Sequence, residues 1–372
     1  MQKVKIVLGA LFGDEGKGAT VHWLCLQSKN PLVIKFSGGC QSGHRVISAS
    51  VEHVCCQLGA GVLAGVPTYI HENVYVDPIA LLNEIKEVEK LGVIPTVFIH
   101  PDCRVTTPYD AIQDGGDIKV QKHGTCGKGI HATFMRYKLH PESPKFSEIT
   151  KDPVKYISGF GHDIDIDTEF INAVNELSFK VRVLPPNEVL PKYDTLIFEG
   201  SQGLLLDMEN GLMPYCTPSK VGLNGIPVGY LEDAEVYLVM RSYLTRHGGN
   251  FDPLFEGLVR KYYKHLEEPT NIDTGPQGKF KIGVLEEKLL NNAFIRHCFD
   301  NYDRMYDVQF NFVVTHMDCT PDGRSVLMAN ENYEVNFVNI EYALRHYITS
   351  IPVSDIYISN GSSFTLLKKS RF

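Results

Sequence analysis

Eight short apolar runs recur along the chain, and segments with helical spacing fill the intervals between them. They are Val4–Leu8, Leu32–Phe36, Thr96–Ile99, Lys180–Leu184, Thr195–Phe198, Val236–Met240, Phe310–Val314 and Asp355–Ile358. A strand covered by helices on both faces reads as a continuous apolar run, not as an alternation. The pattern therefore predicts an α/β fold: a large, mostly parallel sheet with helices on both faces and long ligand-binding loops. One intervening helix is marked at both ends. Asp77 can cap it, Pro78 suits its first position, Leu81, Leu82, Ile85 and Val88 form its apolar face, and Gly92 ends it. No repeat, low-complexity tract or composition shift marks a linker, so one domain over residues 1–372 is expected.

Composition narrows the function classes. With 36 basic against 44 acidic side chains the formal charge is −8, and the sole basic cluster, Lys368, Lys369 and Arg371, reads as a solvated terminus. No nucleic-acid partner is expected. The nine cysteines form no C-x-x-C pair, so neither a disulfide framework nor a zinc site is indicated, and a cytoplasmic location is expected. The opening Met1–Leu8 has two lysines before an apolar run, but the run is too short for a signal peptide and no small-residue cleavage site follows. No stretch approaches the roughly eighteen apolar residues of a membrane span, so no membrane association is expected.

The glycine-rich segments lie where strands end. After Val4–Leu8 comes Gly9-Ala10-Leu11-Phe12-Gly13-Asp14-Glu15-Gly16-Lys17-Gly18, then an apparent helix. Backbone N–H groups in such a turn, with the helix dipole and the Lys17 ammonium, suit phosphate. It is not a standard P-loop, because Leu11 stands where glycine is needed and Gly18 where Ser or Thr is needed. A carboxylate beside phosphates is repulsive unless a metal or a proton transfer requires it, which singles out Asp14. Further loops carry Gly38-Gly39-Cys40-Gln41-Ser42-Gly43-His44-Arg45, Gly124-Thr125-Cys126-Gly127-Lys128-Gly129-Ile130 and Glu199-Gly200-Ser201-Gln202-Gly203. Each alone could be only a tight turn. A P-loop kinase or NTPase and a non-catalytic nucleotide sensor are the rival classes; the missing P-loop spacing weighs against the first, the presence of both Asp14 and His44 against the second.

Taken in order, these segments resemble the adenylosuccinate synthetase family. The family's G-D-E-G-K-G is intact at 13–18, and its G-G-x-N-A-G-H-T and G-T-T-G-K/R-G-I correspond to 38–45 and 124–130. Its E-G-A-Q-G-x-L-L-D corresponds to 199–207, with Thr217 following, and Thr245-Arg246, Thr315-His316-Met317-Asp318 and Ser359-Asn360-Gly361 match shorter motifs. The resemblance implies an NTP-dependent carbon–nitrogen ligase of purine biosynthesis. It joins L-aspartate to C6 of a purine nucleoside monophosphate through a 6-phosphoryl intermediate, with Mg2+ as cofactor.

It also implies roles for residues. Asp14, Lys17 and His44 would be catalytic, with Asp14 and the Gly43 carbonyl facing the metal. Gly13, Glu15, Gly16, Lys17 and Gly18 would hold the donor phosphates, and His316, Asp318, Ser359, Asn360 and Gly361 the donor base. Asp14, Gln41, Ser42, Gly124, Thr125, Gln202 and Thr217 would contact the substrate nucleotide. Family members are homodimers in which an arginine reaches the other subunit's substrate phosphate, and Arg136 lies near that place. Thr274, Lys279 and Lys281 stand where the family has its arginine-rich aspartate loop.

The departures cluster. Gln41-Ser42 replaces Asn-Ala, His247 replaces the valine of T-R-V-G, and His316 replaces lysine in T-K-x-D. Altered substrate choice on a retained Asp14/Lys17/His44 set is therefore expected. This resembles the bacteriophage aminoadenylosuccinate synthetase branch, which condenses aspartate with dGMP for 2-aminoadenine DNA and would work in a host cytoplasm. The alternative acceptor is IMP, and the donor is GTP or ATP/dATP.

Overall fold

The first apolar run becomes β1 (Lys3–Gly9), which lies inside the main sheet of this computed structural model. The structure describes residues 2–49, 51–116, 127–160, 163–248, 251–266, 278–299, 308–361 and 366–368. The other strands that position the site are β2 (Pro31–Lys35), β3 (His44–Ser48), β4 (Val51–Cys55), β5 (Thr68–Ile70), β6 (Val97–Ile99), β7 (Val181–Val183), β8 (Thr195–Gly203), β9 (Glu235–Arg241), β10 (Leu244–His247), β11 (Phe280–Gly283), β12 (Gln309–Thr315), β13 (Val353–Ser359) and β14 (Leu366–Lys368). Ten of them form one sheet in the order β14-β13-β12-β9-β1-β8-β2-β5-β6-β7. Every neighbouring pair is parallel except β13 with β14. All eight predicted runs lie in this sheet.

The apolar runs are continuous because each strand feeds two cores. Ile6, Leu8, Leu32, Ile34, Leu196, Phe198 and Leu238 pack on one face, and Val7, Val33, Ile197 and Val239 on the other. The second face is covered by α1 (Lys17–Leu26), α2 (Pro78–Lys90) and α4 (Ile164–Lys180), through residues such as Leu24, Leu81, Ile85, Phe170 and Leu177. Between α2 and α4 in the chain runs α3 (Ile130–Leu139). The first face is covered by the helices Glu287–Phe299 and Ile340–His346. Helix α2 has the expected ends: Asp77 accepts from the Ala80 N–H at 3.0 Å, Pro78 is its first residue, and Gly92 takes φ +83° just beyond it. No helix among the described residues is long and apolar enough to cross a membrane.

The topology places the site. The chain builds outward from β1 to β2 on one side and later from β9 to β12 and β13 on the other, so β1 sits at the switch point between the two directions. Loops leaving parallel strands there emerge on one edge and frame a crevice for ligands.

Candidate active site

The loop after β1 needs unusual backbone angles. Gly13 and Gly16 have φ +95° and +97°, and Asp14 between them has φ 55°, a conformation that non-glycine residues seldom adopt outside functional turns. Neighbouring strand ends hold it there. The Thr245 hydroxyl donates to the Gly13 carbonyl at 3.3 Å, Arg241 Nε donates to the Asp14 carbonyl, and the Thr315 hydroxyl donates to the Glu15 carbonyl at 2.9 Å. Helix α1 then starts at Lys17 with no side-chain cap on its first turn, which leaves N–H groups for an anion.

Glu15 turns inward. Its carboxylate accepts from the Leu11 N–H at 2.6 Å and lies against Gly9, where an added Cβ would come within 2.1 Å of Oε2. Burial pushes this carboxyl up to about 7 against the pull of Lys17, whose Nζ is 3.9 Å away. The side chain thus shapes the loop from beneath, and any phosphate contact of Glu15 falls to its backbone N–H.

Gly18 has a packing reason that the motif alone does not reveal. A Cβ there would lie 2.8 Å from His44 Cβ and 3.1 Å from the Arg45 carbonyl oxygen, so its absence lets β3 lie on α1 and brings His44 to the loop. Gly18→Ala would gain about 1 kcal/mol of helix propensity. We expect the clash with backbone atoms to win, for a net loss of about 1–3 kcal/mol in urea unfolding. A stabilised variant would show that the hairpin yields easily.

His44 begins β3 and is backed by two residues that the sequence reading left without a role. Glu199 of β8 accepts from His44 Nδ1 and from Lys35 Nζ at 3.1 Å through Oε1, and from the Ala60 N–H at 2.9 Å through Oε2. All three side chains are buried. Burial and the Lys35 cation push the imidazole well below its usual range, so the ring is neutral, with its Nδ1–H on Glu199. Burial alone would raise the Glu199 carboxyl, but Lys35 and His44 outweigh it and hold it ionised. His44 Nε2 is then fixed in direction and has no partner among the described residues. The signal in the sequence was a charged residue inside one apolar run and directly after another, which only a partner makes tolerable.

The flanks divide by strand. At the ends of β12 and β13, His316 takes φ 58°, bonds its Nδ1 to the Thr315 hydroxyl at 2.9 Å and packs edge-on against Tyr243 at 5.8 Å. Asp318 lies 4.0 Å from where a Gly361 Cβ would stand, so the expected donor-base residues come together, with Ser359 buried and Asn360 exposed beside them. On the side of β2 and β8, both amide atoms of Gln41 are buried without partners among the described residues. Gln202 Oε1 lies 3.4 Å from a Cβ built on Gly13. Ser42 is buried and donates to the Gly39 carbonyl at 3.2 Å, and Thr217 lies in the loop after β8.

Other expectations fare differently. Gly124, Thr125 and Thr274 lie outside the described residues. Arg136 is not directed to this group: its guanidinium is forked onto Asp110 at 2.6 and 3.0 Å and also bonds the Val105 carbonyl and the Tyr156 hydroxyl. Lys281 sits opposite Arg246 in the β10–β11 pair, its ammonium 2.6 Å from Asp252, and Lys279 is exposed. Arg246, of the Thr245-Arg246 motif, is buried over the rings of Phe12 and Tyr215 at 5.2 and 5.7 Å.

The half-exposed Asp14 carboxylate and the carbonyl of Gly43, an exposed residue, are hard oxygen ligands of the type Mg2+ prefers. Elsewhere His53, Cys55 and Glu84 bring ligand atoms within 4.8 Å of one another, but the Glu84 oxygens already accept three backbone N–H groups of the turn at 56–58.

The fold and site define a doubly wound α/β protein with a phosphate-type cradle and a buried acid–base pair at its switch point. The sequence pattern described as adenylosuccinate synthetase matches residues 6–181 and 163–293, and the chain belongs to the adenylosuccinate synthetase family, a family of carbon–nitrogen ligases. It is 30% identical over 288 residues to the adenylosuccinate synthetase of Pelodictyon phaeoclathratiforme, covering 68% of this chain and 64% of that one. With the Aquifex aeolicus adenylosuccinate synthetase it shares 28% over 392 residues, covering 96% and 85%. In fold it is similar to the fully ligated adenylosuccinate synthetase of Plasmodium falciparum, with TM-score 0.74, 18% identity and full coverage of both chains. It is also similar to the succinoaminodeoxyadenylate synthetase of cyanophage S-2L, bound to dGMP and dATP, with TM-score 0.68, 16% identity and 97% and 93% coverage.

Proposed function

We propose that the chain joins L-aspartate to C6 of a 6-oxopurine nucleoside monophosphate at the expense of an NTP, with dGMP as the preferred acceptor. The observation that carries the reading is the convergence of Asp14, Lys17 and a Glu199-anchored His44 on one edge of β1 and β8. Asp14 takes the N1 proton of the base, which leaves a nucleophilic O6. O6 attacks the donor γ-phosphorus, and NDP leaves. Lys17 and the α1 N-terminus stabilise the charge of the transferring group. His44 Nε2 is turned to that group. The ring by itself is neutral, and the negative charge of bound phosphates would favour its taking a proton from solvent, after which Nε2 donates to the group and Glu199 holds the imidazolium. The amine of aspartate then displaces phosphate from C6 and loses its proton to solvent. Asp14 and the Gly43 carbonyl would hold Mg2+, which would supply positive charge against the donor phosphates.

The reaction accepts hypoxanthine and guanine alike, since both offer N1–H and O6. Discrimination falls to groups near C2, and the unpartnered amide of Gln41 supports guanine: its oxygen can accept from the 2-amino group, which hypoxanthine lacks. A polar group left unpaired by the wrong base costs about 1–3 kcal/mol. On the donor side, Asp318 suits the N1–H and 2-amino group of guanine, while a histidine in place of lysine at 316 loosens that choice, so ATP and dATP are expected to serve. The second reading, IMP with GTP, is supported by relatives named as adenylosuccinate synthetases.

Aspartate-dependent phosphate release over IMP, dIMP, GMP and dGMP against GTP, ATP and dATP tests these readings together. Higher kcat/KM for dGMP than for IMP, with adenine donors active, is the expected result. Preference for IMP with dGMP inert establishes the second reading, and nucleotide binding without release from any pair would leave a nucleotide sensor.

The aspartate carboxylates are assigned to Lys279 and Lys281, which bind as point charges without an arginine fork. Converting both to alanine is expected to raise the aspartate KM on the order of tenfold with the nucleotide KM unchanged, since each exposed charge contact contributes about 1 kcal/mol or less. An unchanged aspartate KM would move the grip elsewhere, with buried Arg246 the next candidate.

A further inference from the structure

The proton-abstracting residue assigned above is held from three directions by a short segment that includes one departure from the family pattern. Arg241, at the end of β9, and Thr245, in β10, fix the Asp14 and Gly13 carbonyls. At the end of β10, His247 Nε2 lies 3.3 Å from Asp14 Oδ2. The imidazole is itself constrained: only 15% of its side chain is exposed, and it packs on Phe280, its cross-strand partner in β11, at 4.9 Å and 59°. Asp14 by contrast is a short side chain at φ 55° with 39% exposure. Backbone contacts alone would leave its carboxylate to rotate among staggered rotamers. An imidazole N–H on one oxygen fixes that rotation and leaves the other oxygen for the substrate proton. Valine, which the family motif has at this place, supplies no such donor.

We propose that His247 is a positioning residue for Asp14, one that sets the rate of proton abstraction and not the affinity for nucleotide. This rests on the ligase reading above. It makes a different claim from a nucleotide-binding role, because a binding contact would appear in nucleotide affinity.

His247→Val and His247→Gln, each in the wild-type and Asp14→Asn backgrounds, test it with the full chain. His247→Val is expected to lower kcat by about 10- to 100-fold, a fraction of what a whole general base supplies. The nucleotide KM, and the dissociation constant for dGMP measured calorimetrically without Mg2+, should stay within about threefold, the range of an indirect effect. His247→Gln, which retains an N–H donor, should recover most of the rate. In the Asp14→Asn background His247→Val should cost nothing further, because its effect passes through the carboxylate. Unchanged kcat in His247→Val, a raised nucleotide KM with kcat intact, or additive losses in the double variant would each overturn the proposal. If the wild type turns over no nucleotide pair, the ligase reading fails. The contact is then still read from the 15N spectrum of the labelled histidines: Asp14→Asn must shift the His247 Nε2 resonance, and an unmoved resonance refutes the positioning claim.

Discussion

Asp14→Asn is expected to fold normally, to bind nucleotide as the wild type does, and to turn over on the order of 10²–10⁴ more slowly, the usual contribution of general-base catalysis. Asparagine is the informative substitution because of the backbone. Asp14 sits at φ 55°, and asparagine enters that region with little strain, whereas alanine would combine loss of the base with a distorted loop. The amide keeps the size of the carboxylate and an oxygen for His247, but it is not a base at any accessible pH. Thermal unfolding and turnover measured on the same sample check both halves of the expectation. Near-wild-type turnover would remove Asp14 from the proton transfer.

The second large effect is expected at Glu199. Replacing it with glutamine leaves the Lys35 ammonium, 1% exposed, without its counter-charge, and breaking one side of a buried pair costs about 3–5 kcal/mol. Turnover falls as well, because the amide has one oxygen where the carboxylate has two, so it cannot accept from His44 and from the Ala60 N–H together, and it no longer supplies the charge that would hold an imidazolium. The two losses can be separated. Combining Glu199→Gln with Lys35→Met removes the orphaned charge and should recover most of the stability but none of the turnover.

The same pair sets a pH signature. The Glu199 carboxyl is held at about 2 in the folded state against an ordinary value near 4.5, with Lys35 and His44 overcoming the effect of burial. Its contribution is present above the ordinary range and disappears as pH falls from about 4.5 towards 2. Acid unfolding of the wild type should therefore be steeper over that interval than that of the double variant. Parallel curves would mean that the pair carries little of the fold's stability.

How much of this was legible beforehand follows physical lines. Strands buried on both faces have to be apolar throughout, and all eight such runs entered the sheet. Strand β5 was missed because Thr68–Ile70, set between Pro67 and His71, contains a single aliphatic residue, so no apolar run shows. The β3–β4 hairpin was missed because its outer face carries Arg45 and Glu52, which bond to each other at 2.6 Å and read as loop residues in sequence. In the site, residues that act through a local turn were visible in their motifs, as with Asp14 and Lys17. Residues that act through a partner far along the chain were not: Lys35 and Glu199 are 164 positions apart and meet only because β2 and β8 are neighbours. Arg136 shows the converse. Its position in the sequence suggested reach towards another subunit, whereas Asp110, 26 residues away, takes its fork.

The order of strands in the sheet has an evolutionary consequence. The residues assigned to the donor base leave β12 and β13, while Gln41 follows β2 and Gln202 lies in β8, with β9 and β1 between the two groups. Sites that share no partners contribute nearly additively, within about 0.5 kcal/mol. A lineage can therefore exchange its phosphoryl donor without renegotiating its acceptor, and the reverse, as two separate single-step walks. Exchanging residues 316–318 for the family's Lys-x-Asp and residues 41–42 for its Asn-Ala, singly and together, should give changes in donor and acceptor preference whose product predicts the combined variant.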